Sequence, residues 1–210
     1  MNKQDRSELE WKEVRREHII QDKWIDFRKS VYRFPDGTEY GPFYSYSRRD
    51  YVVIVATDPE GNYICVRQYR QGIREITTEF PAGGIERTDG KTYRVNADSV
   101  KSADSSVPAD TSGASEDALN TARRELREET GYVSDEWRHL ITVPSNATIS
   151  DNYAYVYQAL NCRKEKEQDL DDSEFLNVKL HSDAEIASLI KNGAFQQAIH
   201  IMGWLLAKQG

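Results

Sequence analysis

The sequence predicts an α+β domain of the α/β/α sandwich type, carrying an N-terminal β-hairpin extension. Three observations predict it. Short apolar runs separated by turn residues fill the chain from Trp24 to Gly84, a single helix-like segment follows around Ala118–Leu126, and helical periodicity returns only between Ser182 and Lys208. Strands, one central helix, strands and a terminal helical pair are the order expected when helices cover both faces of one sheet.

The first run, Trp24–Phe34, is rich in aromatic and β-branched residues and ends at the turn signal Pro35-Asp36-Gly37. Glu39–Ser47 returns as its hairpin partner. Tyr51–Thr57 is nearly continuously apolar, as in a strand buried on both faces, and Tyr63–Tyr69 pairs with it across Asp58–Asn62. Ile76–Gly84 is a strand that enters a Pro-Gly loop. Residues 87–113 differ in kind: ADS at 97, ADS at 103 and ADT at 109 form a six-residue repeat of small polar residues. Such a segment buries too little apolar area to offset its own ordering, so it reads as a surface insertion, disordered or a short hairpin. Ser115 is a good helix N-cap, Ala118, Leu119, Ala122 and Leu126 supply the apolar side, and Gly131 is the stop. Trp137–Val143 and Tyr153–Leu160 are further strands. Ala184, Ile186, Leu189 and Ile190, then Ala198, Ile199, Met202, Leu205 and Leu206, mark one or two terminal helices.

Composition narrows the function classes. A hydrophobic fraction of 38% supports a core. The mean hydropathy of -0.75 and the shortness of the apolar stretch Ala198–Ala207 argue against a membrane protein. The charged start MNKQDRSELEWKE has no signal-peptide character, so a cytoplasmic location is expected. A net charge of -7 makes nonspecific binding to nucleic acid improbable. Cys65 and Cys162 read as buried free thiols in strand-like runs. His18, His139, His181 and His200 form no ligand pair, so zinc is not implied.

The chemistry lies in Arg123–Tyr132, RRELREETGY. At 100° per residue, Glu125, Glu128 and Glu129 share about one hundred degrees of one helical face. They sit in the last turns of the helix, where the macrodipole disfavours negative charge by roughly 0.3–1 kcal/mol each. A helix selected for stability alone would carry lysine there. Carboxylates at i, i+3 and i+4 instead suit a hard divalent cation that bridges protein oxygens to phosphates.

This segment resembles the second half of the Nudix box, whose pattern is Gly, five residues, Glu, seven residues, then Arg-Glu-aliphatic-any-Glu-Glu-any-Gly-aliphatic. Arg124, Glu125, Leu126, Glu128, Glu129 and Gly131 match, Tyr132 takes the final apolar place, and Glu116 matches the earlier glutamate. The leading glycine is in Pro81-Ala82-Gly83-Gly84. Glu116 lies 33 positions beyond Gly83 where the pattern sets six, so 27 residues are inserted within the box. The insertion falls in a strand-to-helix loop, where length costs little, and it is expected to bear on access and substrate choice.

Within the family, Glu79-Phe80-Pro81-Ala82-Gly83 and Arg67-Gln68-Tyr69-Arg70 are similar to the ADP-ribose pyrophosphatase and nucleotide-sugar hydrolase branch. The resemblance implies Mg2+ (with Mn2+ as a substitute) held by the Ala82 carbonyl, Glu125, Glu128 and Glu129. These glutamates, together with Asp151 as loop general base, form the catalytic set. It implies a nucleotide substrate bound by Trp24, Phe43, Arg48, Arg70 and Glu79. It also implies a homodimer built through an N-terminal β extension, residues 1–48, attached to a hydrolase domain at 49–210. The expected reaction is hydrolysis of ADP-ribose or a related nucleoside diphosphate sugar to a nucleoside monophosphate and a sugar phosphate. GDP-mannose or a dinucleotide coenzyme is the alternative within the enzyme class, and an ADP-ribose-sensing module without catalysis is the alternative outside it.

Overall fold

The structure, a computed structural model, describes residues 8–86 and 117–209. Three antiparallel strands come first: β1 (Lys12–Gln21), β2 (Asp26–Arg33) and β3 (Glu39–Ser47), in the order β1-β2-β3. Strand β1 has no clear apolar alternation and almost every residue is exposed, which is why its sequence reads only as a charged stretch. Its partner β2 alternates buried and half-buried residues. Trp24, expected at the head of the first strand of the sequence, lies in the β1–β2 turn instead. There the Asp22 carboxylate accepts the Trp24 and Ile25 amides at 2.7 and 3.0 Å, and an Asx-type turn replaces the strand.

The main sheet comprises β4 (Tyr51–Thr57), β5 (Tyr63–Arg70), β6 (Glu75–Glu79), β7 (Ala82–Gly84), β9 (Glu136–Pro144), β10 (Tyr153–Leu160) and β12 (Leu176–His181). Strand β10 runs parallel to β4; the other pairs are antiparallel. Two-residue strands β8 (Tyr132–Val133) and β11 (Arg163–Lys164) pair beside it. Strands β4 and β5 pair only through Ala56–Ile64 and Thr57–Tyr63. Beyond that point they part, and the segment 75–84 fills the gap. Its first half pairs with β5 and its second half with β4. Pro81, which has no amide hydrogen, marks the crossing, so one expected strand becomes two.

Helix α1 (Ala118–Thr130) covers one face of the sheet. Ala122 and Leu126 pack there with Val52, Ile54, Ala56 and Ile64. Its N-cap is Asp117; Ser115, Glu116 and the insertion 87–113 lie outside the described residues. Gly131 closes the helix in the left-handed region at φ 73°, its amide donating to the Arg127 carbonyl at 2.8 Å. Helices α2 (Asp183–Lys191) and α3 (Ala198–Ala207) cover the other face, where Ile186, Phe195 and Trp204 meet Val53, Val55 and Val156. Ser182 and Glu185 form a reciprocal capping box on α2. Both thiols are buried and free, with Cys65 in β5 and Cys162 in the turn after β10 rather than in a strand. Among the described residues no helix is long and apolar enough to cross a membrane.

The three-stranded sheet meets this body through a backbone bridge between Tyr46 and Ser150 and through the buried Arg28. Helix α3 approaches the main sheet at Gly203, where a Cβ would stand 2.9 Å from Val156 Cγ1 and 3.1 Å from Val55 Cγ2. Gly203→Val is expected to destabilise the fold by roughly 1–3 kcal/mol through overpacking. Chemical denaturation checks this, and an unchanged midpoint would show that the helix has room to move outwards.

Candidate functional site

Leu126 and Ala122 anchor α1 to the sheet, and the same face carries Glu125 and Glu129 into the protein. Both are buried, at 7% and 3% exposure. Segment 82–84 runs directly beneath them. The Ala82 amide donates to Glu129 Oε2 at 3.0 Å. At Gly83 a Cβ would fall 1.8 Å from the Glu125 carboxyl carbon, so only glycine leaves room for that carboxylate. Glu128 is half-buried at the rim. Arg124 bridges the two outer glutamates, with Nη1 at 3.0 Å from Glu125 Oε1 and 2.9 Å from Glu128 Oε2.

The electrostatics are those of a site short of positive charge. Burial pushes Glu125 up to about 7, with Glu128 and Glu174 adding to the shift and Arg124 opposing it. Burial, reinforced by the charge of Glu125, raises Glu129 well above the ordinary carboxylate range. Glu174, in the loop before β12, raises both through its own charge. Among the described residues no three His, Cys, Asp or Glu side chains converge as a complete ion cage. The donor set is therefore two buried carboxylates, a rim carboxylate and the backbone at Ala82. That all-oxygen set suits a hard divalent cation that keeps several waters.

Beside it, Glu79 is fully buried and both of its oxygens are held by Arg70, at 2.9 Å from Nε and 2.7 Å from Nη2. This bidentate pair holds the guanidinium at the site's edge, where its charge acts on Glu129. The remaining candidates lie elsewhere. Arg48 is exposed in the β3–β4 connection. Trp24 is 59% exposed, with Lys23 Nζ 4.6 Å from its ring centre. Phe43 packs with Trp11, Tyr32, Phe34 and Tyr40 on the N-terminal sheet. Asp151 accepts from Arg28 Nη2 at 3.1 Å and from the Ser47 hydroxyl, so its Oδ2 is tied to that same sheet. A single copy thus assembles Glu125, Glu128, Glu129, Ala82, Arg70 and Glu79, and keeps Trp24 in the β1–β2 turn and Phe43 on β3 of the N-terminal sheet.

Three neighbours escape sequence reasoning. Arg49, not Arg48, lies across Gly84, where a Cβ would stand 2.1 Å from its Cδ. Arg28 is a buried cation in an exposed-looking strand. Glu174 is one acid among several in the stretch 165–174, and nothing in the pattern distinguishes it.

The raised Glu125 has a consequence for stability. Its folded value of about 7 exceeds its ordinary 4.5, so the folded chain holds this proton more tightly than the unfolded chain. Its stabilising contribution is fully present below the lower value and is lost as pH rises through the upper one. Chelator-treated protein should therefore lose Tm across that interval, and Glu125→Gln should flatten this part of the profile. A variant with the wild-type slope would place the proton elsewhere.

The NUDIX domain family model matches residues 47–201. An ADP-ribose pyrophosphatase of Bacillus subtilis (strain 168) is 26% identical over 178 residues, 81% of this chain and 77% of that protein. A methanol dehydrogenase activator of Bacillus methanolicus is 27% identical over 128 residues, 60% of this chain and 55% of that protein. The solved structure of an ADP compounds hydrolase shares the fold, with a TM-score of 0.71 at 16% identity over 95% of this chain and 92% of that one. With the glutamate helix set against the Ala82–Gly83 backbone, these matches establish that the chain belongs to the NUDIX domain family and is a Nudix hydrolase.

Proposed function

We propose that this hydrolase acts on ADP-ribose or a related nucleoside diphosphate sugar in the presence of Mg2+, with Mn2+ as a substitute. Water adds across the phosphoanhydride, and ADP-ribose yields AMP and ribose 5-phosphate. The observation that carries the metal reading is the pair Glu125–Glu129, buried against the Ala82–Gly83 backbone, with Arg124 the one cation in direct contact among the described residues. The substrate class rests on the similarity to the Bacillus subtilis ADP-ribose pyrophosphatase across 81% of the chain.

Bound at Glu125, Glu129, Glu128 and the Ala82 carbonyl, a divalent cation would polarise the pyrophosphate and acidify a water. Arg70, held rigid by Glu79, is placed to bind a phosphate oxygen. Two loop carboxylates compete to take the proton of the attacking water. Both Arg28 and Ser47 bind Asp151 through Oδ2, whereas Glu174 acts electrostatically on both metal-site glutamates. This reading gives the base role to Glu174 and leaves Asp151 as the clamp between its loop and the N-terminal sheet.

A homodimer completes the proposal. The N-terminal sheet exposes Trp11, Ile20, Trp24, Tyr40 and Tyr44 at 47–64%, more apolar surface than an isolated sheet keeps open to water. A second copy covering that sheet would bring Trp24 and Phe43 to the partner's substrate. Sedimentation equilibrium should return twice the chain mass, and a monomer at micromolar concentration would remove this part of the reading.

The central test is a Mg2+-dependent hydrolysis screen across ADP-ribose, nucleotide sugars and dinucleotides. ADP-ribose or a nucleotide sugar is expected to be the best substrate. Glu129→Gln and Glu174→Gln should each lower kcat by about 100-fold or more, and Asp151→Asn by much less. Full activity of Glu129→Gln at saturating Mg2+ would falsify the metal-helix assignment. A larger loss in Asp151→Asn than in Glu174→Gln would return the base role to Asp151.

A further inference from the structure

We infer that His200 is a positioning residue for the backbone donor at Ala82: its ring nitrogen holds the Phe80 amide and so sets where the Pro81–Ala82 peptide meets Glu129. This inference rests on the metal reading proposed above.

The segment 78–82 passes from the β5 ladder to the β4 ladder through Phe80 and Pro81, and its alternate amides find partners on three different elements. The Thr78 amide donates to the Ala194 carbonyl at 2.9 Å, ahead of α3. The Phe80 amide donates to His200 Nδ1 at 3.1 Å, on α3 itself. The Ala82 amide donates to Glu129 Oε2 at 3.0 Å, on α1. Between the last two, Pro81 has no amide hydrogen, and its carbonyl accepts from Ile54 at 2.9 Å. The Pro81–Ala82 peptide, one unit before the Ala82 carbonyl, is thus held by a metal-site glutamate, and the Glu79–Phe80 peptide by His200, across a residue with little backbone freedom.

The surroundings make His200 hard to replace as an acceptor. Phe80 is fully buried against Phe195 and Tyr63, with ring centroids 5.2 and 5.8 Å away, so its amide is out of reach of bulk water. The His200 ring lies parallel to the Phe80 ring, at an interplanar angle of 2°. His200 is 4% exposed and sits in the otherwise apolar helix AIHIMGWLLA. What histidine adds there is a lone pair. Burial pushes its pKa down to about 3, so at working pH the ring is neutral with one unprotonated nitrogen, and the Phe80 amide pointing at Nδ1 makes that nitrogen the acceptor. Ligand-bearing backbone held by buried hydrogen bonds of this kind tunes metal affinity as outer-shell partners do.

The test measures Mn2+ binding to the full-length protein by electron paramagnetic resonance of the free ion, with kcat and KM for ADP-ribose in parallel. His200→Leu should weaken Mn2+ binding about tenfold, and His200→Asn, whose side-chain oxygen stands near the Nδ1 position, should recover to within about threefold of wild type. The KM for nucleotide should stay near wild type, because Arg70 and Glu79 are untouched. Wild-type Mn2+ affinity in His200→Leu, or equal loss in His200→Asn, would overturn the inference while leaving the metal reading standing. A wild-type protein that binds no Mn2+ would overturn both. Should His200→Leu fail to fold, the 15N resonances of the Phe80 amide and His200 Nδ1 in the wild type decide. Shifts that track the Mg2+ binding curve support the coupling, and resonances that do not move refute it.

Discussion

The contact between helix α1 and segment 82–84 is the constraint on which the rest of the structure depends. Two carboxylates enter the interior there, and each meets backbone: Glu129 through the Ala82 amide and Glu125 through the space left by Gly83. Placing acids in that position is unfavourable by itself. It is sustained because the same helix face buries Ala122 and Leu126 in the apolar layer formed by Val52, Ile54, Ala56 and Ile64. The early parting of β4 and β5 is the counterpart of this arrangement. Continuous pairing of those strands would leave no gap for 75–84 to cross, and no peptide would lie under the glutamates.

Two buried acid systems stand side by side and differ in how they are satisfied. Glu79 has both oxygens on one guanidinium, so its charge is matched within the protein and Arg70 is held as a rigid cation. Glu125 and Glu129 have only partial compensation, from Arg124, the Ala82 amide and the more distant Arg70, and Glu174 adds further negative charge. The first pair is a support. The second is left short of positive charge among the described residues, and the cost appears as the raised affinity of both glutamates for protons. The C-terminal placement of the acids on α1 adds to that cost, as the helix dipole requires.

The N-terminal sheet is joined to this centre by few but specific contacts. Arg28 is buried between Asp26 and Asp151, and Ser47 shares the same Asp151 oxygen. The loop that carries Asp151 also donates from Asn152 Nδ2 to the Arg49 carbonyl, and Arg49 lies over Gly84. A path of contacts therefore runs from β2 to the backbone beside the glutamates, and a displacement of the sheet would be felt there.

The sequence by itself determined the α/β/α architecture, the limits of β2, β3, β4, β5, β9 and β10 to within two residues, the end of α1 at Gly131 and the place of Glu125, Glu128 and Glu129 on one helix. These follow from local rules. The apolar run of Tyr51–Thr57 between turn signals has the length and β-branched content of a strand buried on both faces, and the i, i+3, i+4 spacing of Glu125, Glu128 and Glu129 puts them on one helical face wherever that helix lies. Strands β1 and β12 were not legible, because they sit at sheet edges or are largely exposed and carry weak alternation. Nor were the division of 76–84 at Pro81, the pairing of Arg70 with Glu79, the tie between Arg28 and Asp151, the approach of Glu174 and the role of His200. Most of these join residues far apart in the chain, up to 123 positions for Arg28 and Asp151, and even Arg70 and Glu79, nine positions apart, meet across two strands. Their meeting depends on which strands part and which helix covers the gap, and only the tertiary structure decides that.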